Sequence, residues 1–232
     1  MKVELLNYTP NPELTIALSG RLCYSKVGIE ELKEQLDEAY IKRMIKQLVE
    51  SGHHSTLEHV SFTFGVEGVS RVLTHQLVRH RIGASYSQKS QRYVKEGQFE
   101  YIIPKSFEEK GMSEKFKERM KVVQEWYNEA IEAGIKAEDA RFYLPNATET
   151  KIIVTMNARE LIHFFDHRLC QRAQWEIRAM ADEMLEKVKE IAPNLFKNVG
   201  PGCVNGPCPE GKFTCGKMNE MRAKYREGNI NG

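Results

Sequence analysis

The chain of 232 residues has almost no surplus charge: 34 lysines and arginines face 32 aspartates and glutamates, leaving +2. So even a balance excludes capture of nucleic acid or an anionic membrane by bulk electrostatics, and any anion site must be local. No apolar run approaches the length needed to cross a bilayer. The start, Met1-Lys2-Val3-Glu4-Leu5-Leu6-Asn7, lacks the apolar stretch of a secretion signal, and a cytoplasmic address follows by default. The cysteines number five, Cys23, Cys170, Cys203, Cys208 and Cys215, and an odd count without a secretion signal argues against an extracellular disulfide framework. No glycine-rich phosphate loop is present, so a bound nucleotide or cofactor must be held by arginines and helix ends. A His-Glu-x-x-His motif is missing too. His54 and Glu58 have i, i+4 spacing beside His53 and His59, but without a second ligand pair no metal is expected there. Cys203, Cys208 and Cys215 stand at intervals of five and seven, which is not a zinc knuckle. In their Gly/Pro-rich setting they read as a loosely ordered tail over residues 201–232, after a domain over residues 1–200, with a weak metal or redox site as the alternative.

What is present is well patterned. Val3 to Leu6 reads as a strand, and Phe62, Phe64 and Val66 alternate with polar neighbours as a half-buried strand does. Thr150 to Met156 is β-branched and strand-like, and Tyr101 to Pro104 reads as a strand end. The apolar spacing predicts helices over Ile29–Val49, Val69–Arg81, Ser113–Ala133, Ala137–Pro145, Ala158–Arg168 and Trp175–Ile191. Ser55 and Glu58 have capping-box spacing for a short helical turn, Gly83 is placed to end the helix before it, and Ser85 to Gln88 reads as a loop. The sum is a single α+β domain of mixed helices and antiparallel sheet.

The densest polar cluster is Arg79-His80-Arg81, Ser85-Tyr86-Ser87-Gln88 and Ser90-Gln91-Arg92-Tyr93. Arginine offers a planar fork of donors that matches phosphate oxygens in pairs, and the hydroxyls and amides can read the edges of a polar ring. A solvated helix end is the plain alternative, and a nucleic-acid loop with interleaved aromatics is another, though no wider basic patch supports it. Arg141 and Arg168 sit among apolar residues, where a guanidinium is costly unless paired. A structural ion pair, with Asp166 or Glu176 as candidate partners, stands beside a functional role for them. A serine nucleophile needs an adjacent base, and Ser90 has only Lys89 and Gln91 beside it.

Arg79-His80-Arg81 with Ser90-Gln91-Arg92-Tyr93 resembles the signature of the flavin-dependent thymidylate synthases. Gly52-His53, Glu58-His59 and Phe62-Thr63-Phe64 resemble the family's upstream segment. Asn157-Ala158-Arg159 is similar to its Asn-Ala-Arg motif, and Arg168 with Ala173-Gln174-Trp175-Glu176-Ile177 to its C-terminal block. Ile82 to Lys89 makes eight residues between Arg81 and Ser90, one more than the family pattern, and the extra residue falls near Gly83 or Ala84. The resemblance implies a homotetramer with shared active sites that converts dUMP to dTMP, using methylenetetrahydrofolate, NADPH and bound FAD, with no nucleic-acid or membrane partner. It further implies that Gln76 and Arg79, expected on one helix face, meet the nucleotide. Gln88, Lys89, Ser90, Gln91 and Arg92 would reach it from a neighbouring subunit, and Arg141 would touch uracil or phosphate. Arg168 would lie at the uracil edge as the catalytic residue, stabilising negative charge on the ring and so making C5 more nucleophilic. Ser55, Arg79, His80, Arg81, Gln88, Asn157, Ala158, Arg159 and His163 would line FAD, with His53 as a further contact. The cysteine nucleophile of the folate-only class has no visible motif here, so neither Cys23 nor Cys170 is assigned that role.

Overall fold

Ser70 decides much of the chain's layout, because its hydroxyl accepts the Leu73 amide at 3.1 Å and turns a strand directly into a helix. The structure, a computed structural model, describes residues 1–226; the last residues of the expected tail, 227–232, lie outside the described residues. In chain order the elements are β1 (Lys2–Tyr8), α1 (Pro12–Leu22), α2 (Ile29–Glu34), α3 (Glu38–Glu50), β2 (Ser61–Ser70), α4 (Arg71–Leu77), β3 (Ala84–Gln88), α5 (Lys105–Glu109), α6 (Ser113–Glu132), α7 (Ala137–Ala140), β4 (Glu149–Asn157), α8 (Ala158–Arg168), α9 (Trp175–Ile191), α10 (Pro193–Phe196) and α11 (Met218–Tyr225). Short 3-10 turns cover His54–His59, Arg141–Tyr143 and Gly211–Phe213. The strands form one antiparallel sheet in the order β1-β2-β4-β3, so the chain is α+β as expected.

The chain divides into two compact units. The first comprises Met1–Lys2, Val66–Arg79 and Tyr86–Ile153. Its helix α6 buries Tyr127 and Ala130 against Ala140, with Ile131 and Leu144 packed alongside. The Tyr127 hydroxyl accepts the Glu96 amide at 3.1 Å, and Gln124 accepts the Phe99 amide at 2.7 Å, so residues 96–99 are pinned to α6. The second unit comprises Val3–Gly65, His80–Ser85 and the chain from Val154 onward. Phe62 and Phe64 of β2 and Val154 and Met156 of β4 point into its core, as the alternation requires. Ile16 of α1, Ile45 of α3 and Phe164 and Phe165 of α8 are buried there as well, as are Ile177, Met180 and Met184 of α9. Each such side chain contributes roughly 1.5–3 kcal/mol by leaving water.

Several boundaries differ from the expected ones, each for a local reason. The helix expected over Ile29–Val49 is two, because Asp37 accepts the Tyr40 amide at 2.7 Å and starts α3 afresh. The helix expected over Val69–Arg81 is only α4: Val69 stays in β2, and Val78 caps the end, so Gly83 does not stop it. The serine-rich stretch is strand β3, not a loop, with Ser85 and Ser87 exposed and Tyr86 donating to the Leu77 carbonyl at 3.0 Å. The Ser55–Glu58 capping box does not form, because the 3-10 turn begins at His54 with no side-chain cap. Tyr101 makes a lone bridge to Thr148 rather than ending a strand. The helix expected over Ala137–Pro145 is α7 followed by a 3-10 turn, and Leu144 is extended ahead of the proline. Helix α1, with proline in its first turn, was not anticipated. Helices α8 and α9 match their expected bounds. Residues 201–226 are more structured than their glycine and proline suggest: Cys203, Val204, Met221 and Tyr225 are buried, and the Tyr225 hydroxyl donates to Asp182 at 2.6 Å.

Candidate active site

Helix α8 carries the centre of the second unit's polar chemistry. Its start is fixed by Asn157, whose side chain accepts the Glu160 amide at 2.8 Å, while the Ala158 amide donates to Val60. From there Leu161, Phe164, Phe165 and Arg168 follow i, i+3, i+4, i+7 spacing, so Arg168 ends an apolar stripe. On the adjoining stripe lie Glu160, His163 and His167. His80 meets this helix from the chain beyond α4. The residue is 6% exposed, and its ring stands edge-on to Phe164, with centroids 5.1 Å apart.

The hydrogen bonds fix the protonation state of His80. Arg168 Nε can only donate, and it donates to His80 Nε2 at 3.0 Å, so that nitrogen carries a lone pair. The proton is then on Nδ1, 2.9 Å from the Glu160 carboxylate. Burial is the main influence holding His80 below its ordinary range; the Glu160 hydrogen bond opposes this, and Arg168 reinforces it. Glu160 also lies 3.3 Å from His163 Nδ1. His80, Glu160 and His163 bring ligand-type atoms within 4.8 Å of one another. With Arg168 turned toward Nε2, the group reads as a hydrogen-bond network that fixes a guanidinium. The Asp166 carboxyl, one helical turn on, is pushed up by burial.

Beside this network a cavity of about 1580 Å³ is lined by Asn157, Arg159 and His163, with Lys42, Arg43 and Lys46 of α3 on its wall. Gly83 also lines it; with φ of +74° and the Asn157 side chain against the place where a Cβ would stand, a side chain here would displace Asn157. Arg159 pairs with Glu58. Of the expected flavin set, His80, Arg81, Asn157, Ala158, Arg159, His163, His53 and Ser55 lie in this unit. Arg81, His53 and Ser55 are exposed, and Ala158 is buried, so it can offer only backbone.

The first unit holds the expected nucleotide set apart from Arg168: Gln76, Arg79, Gln88, Lys89, Ser90, Gln91, Arg92 and Arg141. Gln76 lies in the last turn of α4, which ends at Leu77, and Arg79 follows the helix, so the two do not share a helix face. Gln88 donates to Thr74 at 3.0 Å and to Thr150 at 3.3 Å. Lys89 pairs with Glu96 at 2.8 Å, and Ser90 accepts the Arg92 amide at 3.2 Å. Arg92 and Arg141 converge on Glu138: Arg92 Nε meets its carboxylate at 2.7 Å and Arg141 Nε its backbone carbonyl at 3.0 Å. The Arg92 guanidinium holds the Glu138 carboxyl below its ordinary range. Gln91 is buried. Arg71 Nη1 and Glu96 Oε1 are buried side-chain atoms with no hydrogen-bond partner. Burial, then neighbouring Arg141, lowers the Arg71 value.

Sequence reasoning missed Glu160, Glu138, Glu96 and Arg71. Glu160 had a signal, standing three residues after the capping Asn157, where a glutamate is favoured. Glu138 had none, since its partner Arg92 is forty-six residues away, and no local pattern marked Glu96 or Arg71.

Comparison with known proteins gives a consistent result. A family model described as thymidylate synthase complementing protein matches residues 4–194. A flavin-dependent thymidylate synthase of Geobacter sulfurreducens is 54% identical over 236 residues, covering 99% of this chain and 100% of the relative. One from Clostridium tetani is 54% identical, covering 97% of each chain, and one from Pyrococcus abyssi is 46% identical, covering 90% of each.

Proposed function

The chain belongs to the thymidylate synthase complementing protein family, that of the flavin-dependent thymidylate synthases, and from that premise we infer a reductive methylation of dUMP to dTMP. Methylenetetrahydrofolate supplies the one-carbon unit, and NADPH is the reductant. The residues present fit FAD. The cavity beside α8 combines Arg159, Lys42, Arg43 and Lys46, which suit phosphate oxygens, with Asn157 and His163, which suit ring edges. The N-terminus of α8 adds a favourable dipole for an anion. FAD, when bound, carries the reducing equivalents from NADPH.

The observation that carries the residue roles is the Arg168–His80 hydrogen bond. It holds a permanent cation on a ring that is itself kept neutral. In this reading Arg168 faces the uracil edge and stabilises the negative charge that develops there, a preorganised electrostatic effect. Arginine suits the task, being planar and always charged. Glu160 keeps the proton on His80 Nδ1 and so aims Arg168. Gln76, Arg79, Gln88, Lys89, Ser90, Gln91, Arg92 and Arg141 hold the nucleotide, with Ser90 and Arg92 at its phosphate. The buried, unpartnered Arg71 Nη1 is a donor of the kind an anionic oxygen satisfies, which supports an anion in this unit. His53, Ser55, Arg79, His80, Arg81, Gln88, Asn157, Ala158, Arg159 and His163 line the flavin. The reading includes a homotetramer in which Gln88 to Arg92 act on a neighbour's nucleotide, and a cytoplasmic address. No helix among the described residues is long and apolar enough to cross a membrane.

The test is release of tritium to water from dUMP labelled at C5, with FAD, NADPH and methylenetetrahydrofolate present. Release that requires every component is the expected result. No release from protein that demonstrably holds FAD would overturn the assigned reaction.

A further inference from the structure

The tail cysteines take no part in this chemistry, yet the fold gathers them. Cys170 lies just past the end of α8, in the turn that leads to α9. The C-terminal segment is tied to that turn at several points. The Gly202 amide donates to the Asp166 carbonyl at 3.3 Å, and a Cβ on Gly202 would come within 2.7 Å of the Asp166 carboxylate, so only glycine fits this approach. Arg172 donates to the Phe213 carbonyl at 2.7 Å and pairs with Glu210 at 3.4 Å. Gln171 reaches Met221 Sδ at 3.4 Å. Cys203 adjoins the first of these ties, while Cys208 and Cys215 flank the segment from Glu210 to Phe213. These contacts tie the segment that carries Cys203, Cys208 and Cys215 to the turn that carries Cys170. Cys23, which caps α1, is not among them.

We propose that Cys170, Cys203, Cys208 and Cys215 form a structural zinc site that fastens the C-terminal segment to the end of α8. Four thiolates are the donor set of a closed tetrahedral zinc site, with no position left for a reacting water. No three of the sulfurs lie within 4.8 Å of one another among the described residues, whereas bonds of about 2.3 Å to one ion demand closer approach. Binding therefore draws them inward, and exposed Cys215 and half-buried Cys208 have room to move. The surroundings suit the result. Zinc with four thiolates carries net negative charge, and three arginines stand around this turn. Arg178 donates to the Gln171 and Ala173 carbonyls, Arg222 to those of Cys203 and Gly206, and Arg172 to that of Phe213. Metal binding releases the thiol protons. The ion would stand close in sequence to Arg168 and would brace the helix end that carries it.

The test uses the full chain, purified under reducing conditions and equilibrated with zinc. Metal analysis should find about one zinc per chain. A chromogenic disulfide should then titrate only Cys23 quickly, with the other thiols reacting after a chelator is added. Cys23→Ser should keep the zinc, whereas Cys208→Ser and Cys215→Ser should weaken its retention about tenfold or more. Cobalt bound to the wild-type chain should give the sulfur-to-metal charge-transfer and intense visible bands of a tetrahedral thiolate site, a readout that needs no variant. The proposal is overturned if all five cysteines react at once in the zinc-equilibrated protein. Retention of zinc by the Cys208 and Cys215 variants overturns it, as does a cobalt spectrum without sulfur bands. A tightly held iron in place of zinc, or a mass loss showing disulfides in the reduced preparation, overturns it as well.

Discussion

In the second unit the His80–Glu160 pair is buried and holds Arg168, while in the first Arg92 meets Glu138 nearer the surface. His80 and Glu160 are 5% and 9% exposed in their side chains, and Arg168 is held on His80. Arg92 and Glu138 are 54% and 34% exposed. A buried network is costly to leave incomplete, so removing one member disturbs the rest. An exposed ion pair is worth little and exchanges readily, so a ligand anion can take the arginine from its carboxylate. If Arg168 meets the substrate as proposed, its network is suited to charge stabilisation, and the Arg92–Glu138 pair is suited to exchange between an internal and an external anion.

Breaking the rigid side should have the largest effects. Phe164→Ala removes the ring against which His80 stands and leaves a cavity, and the unfolding free energy should fall by about 3–5 kcal/mol in denaturant titration. Arg168→Ala should lower the turnover number about 10²–10³-fold while FAD absorbance stays with the protein; near-normal tritium release would remove Arg168 from its role. Glu160→Gln keeps an acceptor for Nδ1 but loses the charge. Turnover should fall about tenfold with little change in the KM for dUMP. Because the carboxylate is what raises His80, the acid limb of the pH–rate profile should move to lower pH in this variant. A purely structural role for Glu160 would leave that limb in place.

The wild-type acid limb has a defined sign. Burial holds the folded His80 below its ordinary value, which unfolding restores. The unfolded chain therefore takes up the proton first as the pH falls. The stability His80 contributes is present above about pH 6.5 and is lost as the pH drops through the folded value. Denaturant midpoints across this range check it, with His80→Gln as the variant in which the dependence should flatten.

On the exchangeable side the effects should be smaller. Ser90→Ala should raise the KM for dUMP about fivefold with turnover at saturation little changed. A loss of chemistry at saturating dUMP would instead reopen the question of a serine nucleophile. Glu138→Ala frees Arg92 and should lower the KM by no more than about fivefold, an effect that salt should erase. An unchanged KM at low salt would show that Arg92 does not exchange partners.

The legible parts of the fold were those whose signal repeats along the chain. Alternation in β2, and apolar stripes with clear ends in α8 and α9, need no partner to be read. Boundaries set by one side chain, Asp37 starting α3 and Ser70 starting α4, were not read, because one hydrogen bond outweighs the apolar pattern there. The serine-rich strand β3 escaped notice because small polar residues carry little strand signal, and pairing with β4 decides the matter. At the site, the arginines and histidines could be named from their motifs. The carboxylates that orient them could not, since Glu160 is eighty residues from His80 and Glu138 is forty-six from Arg92.

The sequence by itself determined the family, the α+β class and the identity of the basic residues, because these reside in residue types and short-range order along the chain. The tertiary structure alone decided which arginine joins a buried network and which pairs nearer the surface, which nitrogen of His80 holds its proton, and where the cysteine-bearing segment is tied. Each of these depends on burial and on contacts between distant segments, and neither quantity exists until the chain is folded.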